Sequence, residues 1–306
     1  MSELSAFDPP PFDPTAPLTA TGNLRRRQWV SRAVVWGATA AAVAAVAVLG
    51  IVTYTVIHRG AGALSLGFLI HDPPQFGGPG GGIASAIVGT LVIVALGAVV
   101  AVPLGVLCAL YLVEFAGPRS RPAQILQLAI DMMQGLPTIV VGLFILGLIV
   151  LHEHADSGFA ASLALAIIML PLIARTTQEV LRTVPQGLRD ASDALGVDRW
   201  RAVLTVILPS AAGGILTGTI LAIARAAGET APVLVVDGTF ANSTTLDMFG
   251  HAVPNLPVLI WELIEQPTAT GLQRAWGASL VLLALILIAN IGARLLLARN
   301  RKRMGM

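Results

Sequence analysis

The chain has one cysteine, one lysine and little charge of either sign, with Asp, Glu, Lys and Arg making up only 12% of its 306 residues. A lone cysteine, Cys108, excludes an intramolecular disulfide and leaves a thiolate metal site without a second sulfur. A lone lysine, Lys302, excludes a P-loop, because that motif needs a lysine directly after its last glycine to reach the terminal phosphates. The glycine-rich run at 77–82 therefore reads as an external turn, and no ATP is hydrolysed through a P-loop of this chain. The small basic excess, a net charge of +2, reads as a report of membrane topology and not of nucleic-acid binding, and no catalytic constellation stands out.

What is abundant is apolar sequence: 55% of residues are hydrophobic and the mean hydropathy is +0.79. Uncharged runs of 18 to 31 residues occur at 33–57, 83–113, 132–151, 157–174, 202–224 and 275–293. Each is long enough to cross a hydrocarbon core about 30 Å thick as a helix. The predicted fold is thus all-α and integral to a membrane, with six transmembrane helices. The first run exceeds the apolar core of a signal peptide, about 7 to 15 residues, and reads as a retained helix. Residues 1–28, with DPPPFDPTAP, read as a disordered tail.

Cations set the orientation, because Lys and Arg are retained on the cytoplasmic side. With both termini inside, all of the 19 cations except Arg59, Arg274 and Arg225 flank cytoplasmic ends, Arg119 and Arg121 among them. His152 and His154, beside Glu153 and Asp156, have a spacing that a metal could use, but they sit in a short connector and also read as a polar turn; no metal site is predicted.

The connector between the fourth and fifth runs is the most informative stretch. Thr183 and Gln186 have the spacing of a capping box, with Pro185 tolerated in the first turn. Leu188, Ala191 and Leu195 recur at helical spacing as one narrow apolar face, while Arg182, Arg189, Asp190 and Asp193 keep the rest hydrated, so this helix is expected to lie flat. Small residues at Ala191, Ser192 and Ala194 allow a partner surface to approach closely. Gly196 is expected to take a left-handed C-terminal cap, and Asp198 to cap the next helix, which enters the bilayer past Trp200.

The order Asp190-Ala191-Ser192, three residues, Gly196, nine residues, Val206-Ile207-Leu208-Pro209 resembles the EAA loop of ABC-importer membrane subunits, E-A-A-x3-G-x9-I-x-L-P, with Asp for Glu, Ser for the second Ala and Val for Ile. Three further stretches, GGIASAIVGTLVIVALGAVVAVPLGVLCALYLVEF at 81–115, QGLPTIVVGLF at 134–144 and ARAAGETAP at 224–232, are similar to the PstA-type permeases of phosphate importers; the Ala-Pro after Gly-Glu-Thr separates that type from the PstC-type. The resemblance covers most of 81–300. It implies a type I importer permease fold with a coupling helix between helices 4 and 5, at Leu188, Asp190, Ala191, Ser192, Leu195 and Gly196. Residues 29–80 would then be an accessory helix and external loop, 81–300 the transport domain with helices 2–6, and 301–306 a basic tail.

The same resemblance implies a bacterial plasma-membrane protein that forms a translocation path with a PstC-type permease subunit. It would couple to two ATP-binding subunits, which hold ATP and Mg, and would receive phosphate from an external phosphate-binding protein. This chain would carry no cofactor and no ATPase site. The segment 237–274 would help dock the binding protein.

A membrane-depth anion site calls for arginine, whose planar fork matches phosphate oxygens without losing its proton. Arg225 and Glu229 stand four apart where Gly228 and Pro232 are expected to break the helix, and Arg175 has Glu179 four residues on. Each pair reads either as part of the substrate pathway or as a neutralising i, i+4 ion pair. Asp131 reads as a polar residue at a helix end. An oxyanion permease for phosphonate or molybdate, a secondary transporter and a phosphate-sensing scaffold are the rival functions. Neither an inverted repeat nor a cluster of membrane carboxylates supports the second of these.

Overall fold

A computed structural model of the chain describes residues 23–73, 81–117, 120–238, 247–265 and 268–303. Outside these fall most of the predicted disordered tail, residues 77–80 of the glycine-rich run, Arg119, parts of the 237–274 segment and the last three residues of the basic tail. The described residues are helical with turns between, as the long apolar runs require when no water can satisfy the backbone. The chain divides into two units, 1–55 and 56–306.

Helix α1 is Asn23–Gly60 and supplies all of the first unit's described structure. It starts earlier than the sequence suggests, so residues 23–28 are helical and not tail. The second unit continues with α2 (Leu66–Ile70), α3 (Ala84–Leu110), α4 (Arg121–Gly135), α5 (Thr138–Ile145), α6 (Leu151–Glu153), α7 (Gly158–Thr183), α8 (Gln186–Ala194), α9 (Arg199–Ala202), α10 (Leu208–Ala226), α11 (Ala231–Val236), α12 (Leu256–Glu265) and α13 (Ala269–Arg303). Single π-helical stretches extend α3 through Phe115, link α5 to α6, and link α9 to α10 just before Pro209.

Five helical stretches are long and apolar enough to cross a bilayer, and a sixth is reached if the bent pair α4 and α5–α6 is one span. That pair departs from the straight span expected at 132–151: the axis turns by 105° at Leu136-Pro137. Proline drives the residue before it out of the helical region, and Leu136 takes φ −71°, ψ 132°. The Gln134 amide then donates to the Pro171 carbonyl of α7 at 3.3 Å, tying the elbow to its neighbour.

Helices α3 and α7 form the centre of the second unit. Glycines eight apart on α3 allow this: a Cβ on Gly97 would lie 2.7 Å from the Ser162 carbonyl, and one on Gly105 2.9 Å from the Ile173 side chain. Small-residue stripes of this kind let backbones approach where lipid, as apolar as leucine, provides no hydrophobic drive between helices. Around this contact Ile93, Ile145, Leu165, Met169, Ile173, Val233 and Val236 are buried in one cluster. Packing of α10 on α7 follows the same rule, Gly214 against Val180 and Gly218 against Thr176.

Candidate functional site

Two places carry polar chemistry: the loop between α7 and α10, and the break between α10 and α11 with the segment that covers it.

In the loop, α8 ends as the sequence suggests. Gly196 has φ +69°, a conformation that costs an L side chain about 1–2 kcal/mol. The Gly196 amide donates to the Asp193 carbonyl at 3.0 Å and the Val197 amide to the Ser192 carbonyl at 3.1 Å, the paired bonds of a Schellman turn. The start of α8 differs from expectation. Thr183 is the last residue of α7 and its hydroxyl donates to the Val180 carbonyl at 2.7 Å, so no capping box forms; Pro185 precedes the first helical residue instead. Gln186 uses its amide on Asp190 at 3.2 Å. Asp198 does precede α9, but its carboxylate caps no amide and lies 3.6 Å from Arg201.

Of the six predicted coupling residues, Leu188, Asp190, Ala191, Leu195 and Gly196 are exposed, Leu195 to 82%. Only Ser192 is buried, and its hydroxyl donates to the Leu188 carbonyl at 2.9 Å. The apolar face of α8 thus points away from the bundle.

A residue that sequence reasoning passed over holds this loop. Glu114, in the π-helical end of α3, has a fully buried side chain. Arg189 of α8, 10% exposed, grips it with both arms: Nη2 to Oε1 at 2.7 Å and Nε to Oε2 at 3.2 Å. That hydrogen bond also raises the Arg189 pKa further above its already high ordinary value. Arg189 also donates to the Leu181 and Val184 carbonyls at the end of α7. Arg199 donates to the Glu114 main-chain carbonyl at 2.7 Å and lies 3.6 Å from its carboxylate. The available signal was a lone carboxylate at the end of the longest uncharged run.

At the other place, the predicted break is present: α10 stops at Ala226 and α11 begins at Ala231. Gly142 of α5 lets the α11 backbone close in, with Pro232 Cα 2.8 Å from where a Cβ would stand. Arg225 and Glu229 come together, Nε to Oε1 3.8 Å; at 65% exposure for the arginine this contact contributes about 0–1 kcal/mol. Glu229, 20% exposed, lines a crevice with Thr90, Val94, Leu165, Val233 and Asn255. Arg175 is not part of this group. It pairs with Asp131 of α4 at 3.2 Å, with both side chains nearly half exposed, and not with Glu179 as the i, i+4 spacing suggested. Its neighbour Thr176 meets α10 at Gly218, seven residues or about 10 Å of helix before Arg225.

Segment 247–258 closes over the break through buried polar bonds. Asp237 accepts from the Val253 amide at 2.8 Å and the Asn255 amide group at 3.2 Å; Asn255 accepts from the Val258 amide; the Thr90 hydroxyl accepts from the Leu256 amide at 2.8 Å. Burial pushes the Asp237 pKa from 3.8 to about 8, against the pull of these donors and with a small push from Asp156. The native carboxyl therefore keeps its proton where the unfolded chain has lost it, so the contribution of Asp237 to stability falls as pH rises from about 4 to about 8 and levels off above. Asp237→Asn is expected to flatten that decline, read as thermal unfolding midpoints at pH 5 and pH 8.

His154 has φ 55° and ends α6, its ring bonded to the His152 carbonyl at 3.1 Å, the geometry of a turn. Among the described residues no group of three or more His, Cys, Asp or Glu side chains is arranged to hold a metal.

Residues 101–303 match the family described as binding-protein-dependent transport system inner membrane component. The chain is 40% identical over 235 residues to the phosphate transport system permease protein PstA 1 of Mycobacterium tuberculosis, covering 76% of this chain and 74% of that one. It is 34% identical over 250 residues to the PstA permease of Yersinia pestis, covering 82% and 84%. In fold it is similar to an inward-facing structure of the MetNI methionine ABC transporter, with a TM-score of 0.54 at 17% identity over 71% of this chain and 93% of that one.

Proposed function

The chain belongs to the binding-protein-dependent transport system inner membrane components, and we propose that it is the membrane-spanning permease subunit of an ATP-driven inorganic phosphate importer. Identity of 40% with a phosphate permease over three quarters of both chains supports the substrate over phosphonate or molybdate. The observation that carries the role is α8: a short helix with a Schellman turn, anchored on one side and bare on its apolar side. Such a helix suits docking onto a separate ATPase.

The two ends of the bundle divide the work. Two ATP-binding subunits, which bind ATP and Mg, engage Leu188, Ala191 and Leu195 from the cytoplasm, where the arginine-rich loops and both termini lie. A second permease of the PstC type completes the path, and an external phosphate-binding protein delivers the anion to the opposite face. Arg225, largely exposed and held only loosely by Glu229, is free to turn its fork to a phosphate oxygen. A weak site suits passage, since an anion held tightly would not leave. Arg175, half exposed beside Asp131, is the second candidate along the path.

Uptake of labelled phosphate into vesicles carrying the whole assembly tests this. Arg225→Ala is expected to keep the subunits together and to lower uptake at least tenfold, equivalent to about 1.4 kcal/mol or more of barrier. Wild-type uptake by Arg225→Ala would remove this residue from the path, and absence of phosphate uptake by the wild-type assembly would remove the substrate.

A further inference from the structure

Every oxygen of Glu114 is engaged by an arginine of the loop. Its two carboxylate oxygens take the Arg189 fork and its main-chain carbonyl takes Arg199. Arg189 lies inside α8 and Arg199 opens α9, so the two sides of the Gly196 turn converge on one residue at the end of α3. Nothing apolar on α8 duplicates this attachment, since Ser192 is its only buried residue and Leu188, Ala191 and Leu195 face outward. Along the chain α8 is joined to α7 only through the extended Val184-Pro185 link.

A buried ion pair is a poor device for stability, because desolvating both charges offsets most of their attraction. Orientation is what it supplies: a bidentate guanidinium–carboxylate pair fixes the plane and direction of both partners. The carboxylate here belongs to the helix that meets α7 closely at Gly97, against the Ser162 carbonyl, and at Gly105, against the Ile173 side chain and the Leu170 carbonyl, so little room is left to absorb a displacement. A push on α8 passes through Glu114 into α3, and from α3 into α7, beside the two bonds that Arg189 makes to the carbonyls at the end of α7.

We propose that Glu114 is the positioning residue that makes α8, α9 and the end of α3 one rigid body, so that movement of the ATPase is delivered to the α3–α7 pair and not lost in a yielding loop. This rests on the transport reading above, and it names the part of the bundle that is driven.

Two readouts test it on the complete assembly with its partner permease, ATPases and binding protein. The first is phosphate moved per ATP hydrolysed. Glu114→Gln keeps size and one acceptor but loses the charged fork; the ratio is expected to fall at least tenfold while hydrolysis stays within about twofold, since tenfold needs only about 1.4 kcal/mol. Arg189→Lys keeps the charge without the fork and is expected to give an intermediate ratio. Hydrolysis and uptake falling together, with the ratio unchanged, would reduce the pair to a fold support and overturn the proposal. Should Glu114→Gln fail to assemble, an unchanged ratio in Arg189→Lys overturns it equally.

The second readout needs no phosphate. Spin labels at Phe115 and Asp193, in a Cys108→Ala background, are expected to keep one distance in nucleotide-free and ATP-trapped wild type and to move apart or broaden in Glu114→Gln. A wild-type distance that changes with nucleotide, or a Glu114→Gln distance as fixed as the wild type's, sinks the rigid body even if the substrate proves not to be phosphate.

Discussion

Gly196→Pro is expected to abolish coupled transport, by more than tenfold, while the membrane bundle still assembles. Proline fixes φ near −65°, whereas Gly196 stands at +69°, so the chain cannot turn where it does. Proline also lacks the N–H that Gly196 donates to Asp193, and displacing the turn removes the Val197 bond to Ser192 as well. Both bonds close the end of α8, and beyond them Arg199 must come back to Glu114; a turn of the wrong hand sends it elsewhere. Gly196→Ala is the control. It keeps the N–H and adds only the left-handed penalty of about 1–2 kcal/mol, with open space around its Cβ, so most transport is expected to survive. Co-purification of the ATP-binding subunits together with labelled-phosphate uptake separates the two. Uptake at the wild-type level in Gly196→Pro would mean that the shape of this turn is not required for coupling.

The turn was legible in advance because its determinants are local: a glycine after a helical pattern, small residues before it, and a fixed spacing to Leu208-Pro209. The break at 227–230 was legible for the same reason, through Gly228 and Pro232. Where local rules competed, one was overlooked. Thr183 and Gln186 have the spacing of a capping box, yet Pro185 pushes Val184 into an extended conformation, φ −65°, ψ 126°, and leaves Thr183 to finish α7. The same pre-proline effect at Leu136 splits an apolar run that counting uncharged residues treated as one straight span.

The long-range pairings could not be read from spacing. Glu114 meets Arg189 across 75 positions and Asp131 meets Arg175 across 44, and nothing in a window of 18 residues chooses those partners over a neighbour such as Glu179. Asp237 is a further case. It follows PVLVV as an ordinary end-of-helix carboxylate, and only the return of 253–255 buries it. The membrane spans and the docking helix were therefore visible in the sequence, while the residues that tie them together became visible only with the fold.

Gly142→Leu is expected to stop phosphate movement at the opposite end of the bundle without releasing the ATPases. At Gly142 the α11 backbone passes so close that a Cβ would stand 2.8 Å from Pro232 Cα, 3.0 Å from its carbonyl oxygen and 3.3 Å from Val235 Cβ. Main-chain atoms cannot rotate aside as a flexible side chain can, so the leucine must move α11 bodily away from α5; overpacking of this kind typically costs about 1–3 kcal/mol. Displacing α11 shifts Glu229 and Val233 on the crevice wall and strains the Asp237 bonds that fasten 253–255 over the break. The predicted signature is uptake reduced at least tenfold with ATP-binding subunits still co-purifying, because α8, Glu114 and the Gly196 turn are untouched. Wild-type uptake in Gly142→Leu would show that α11 can leave α5 without closing the path, and the break would lose its place in the mechanism.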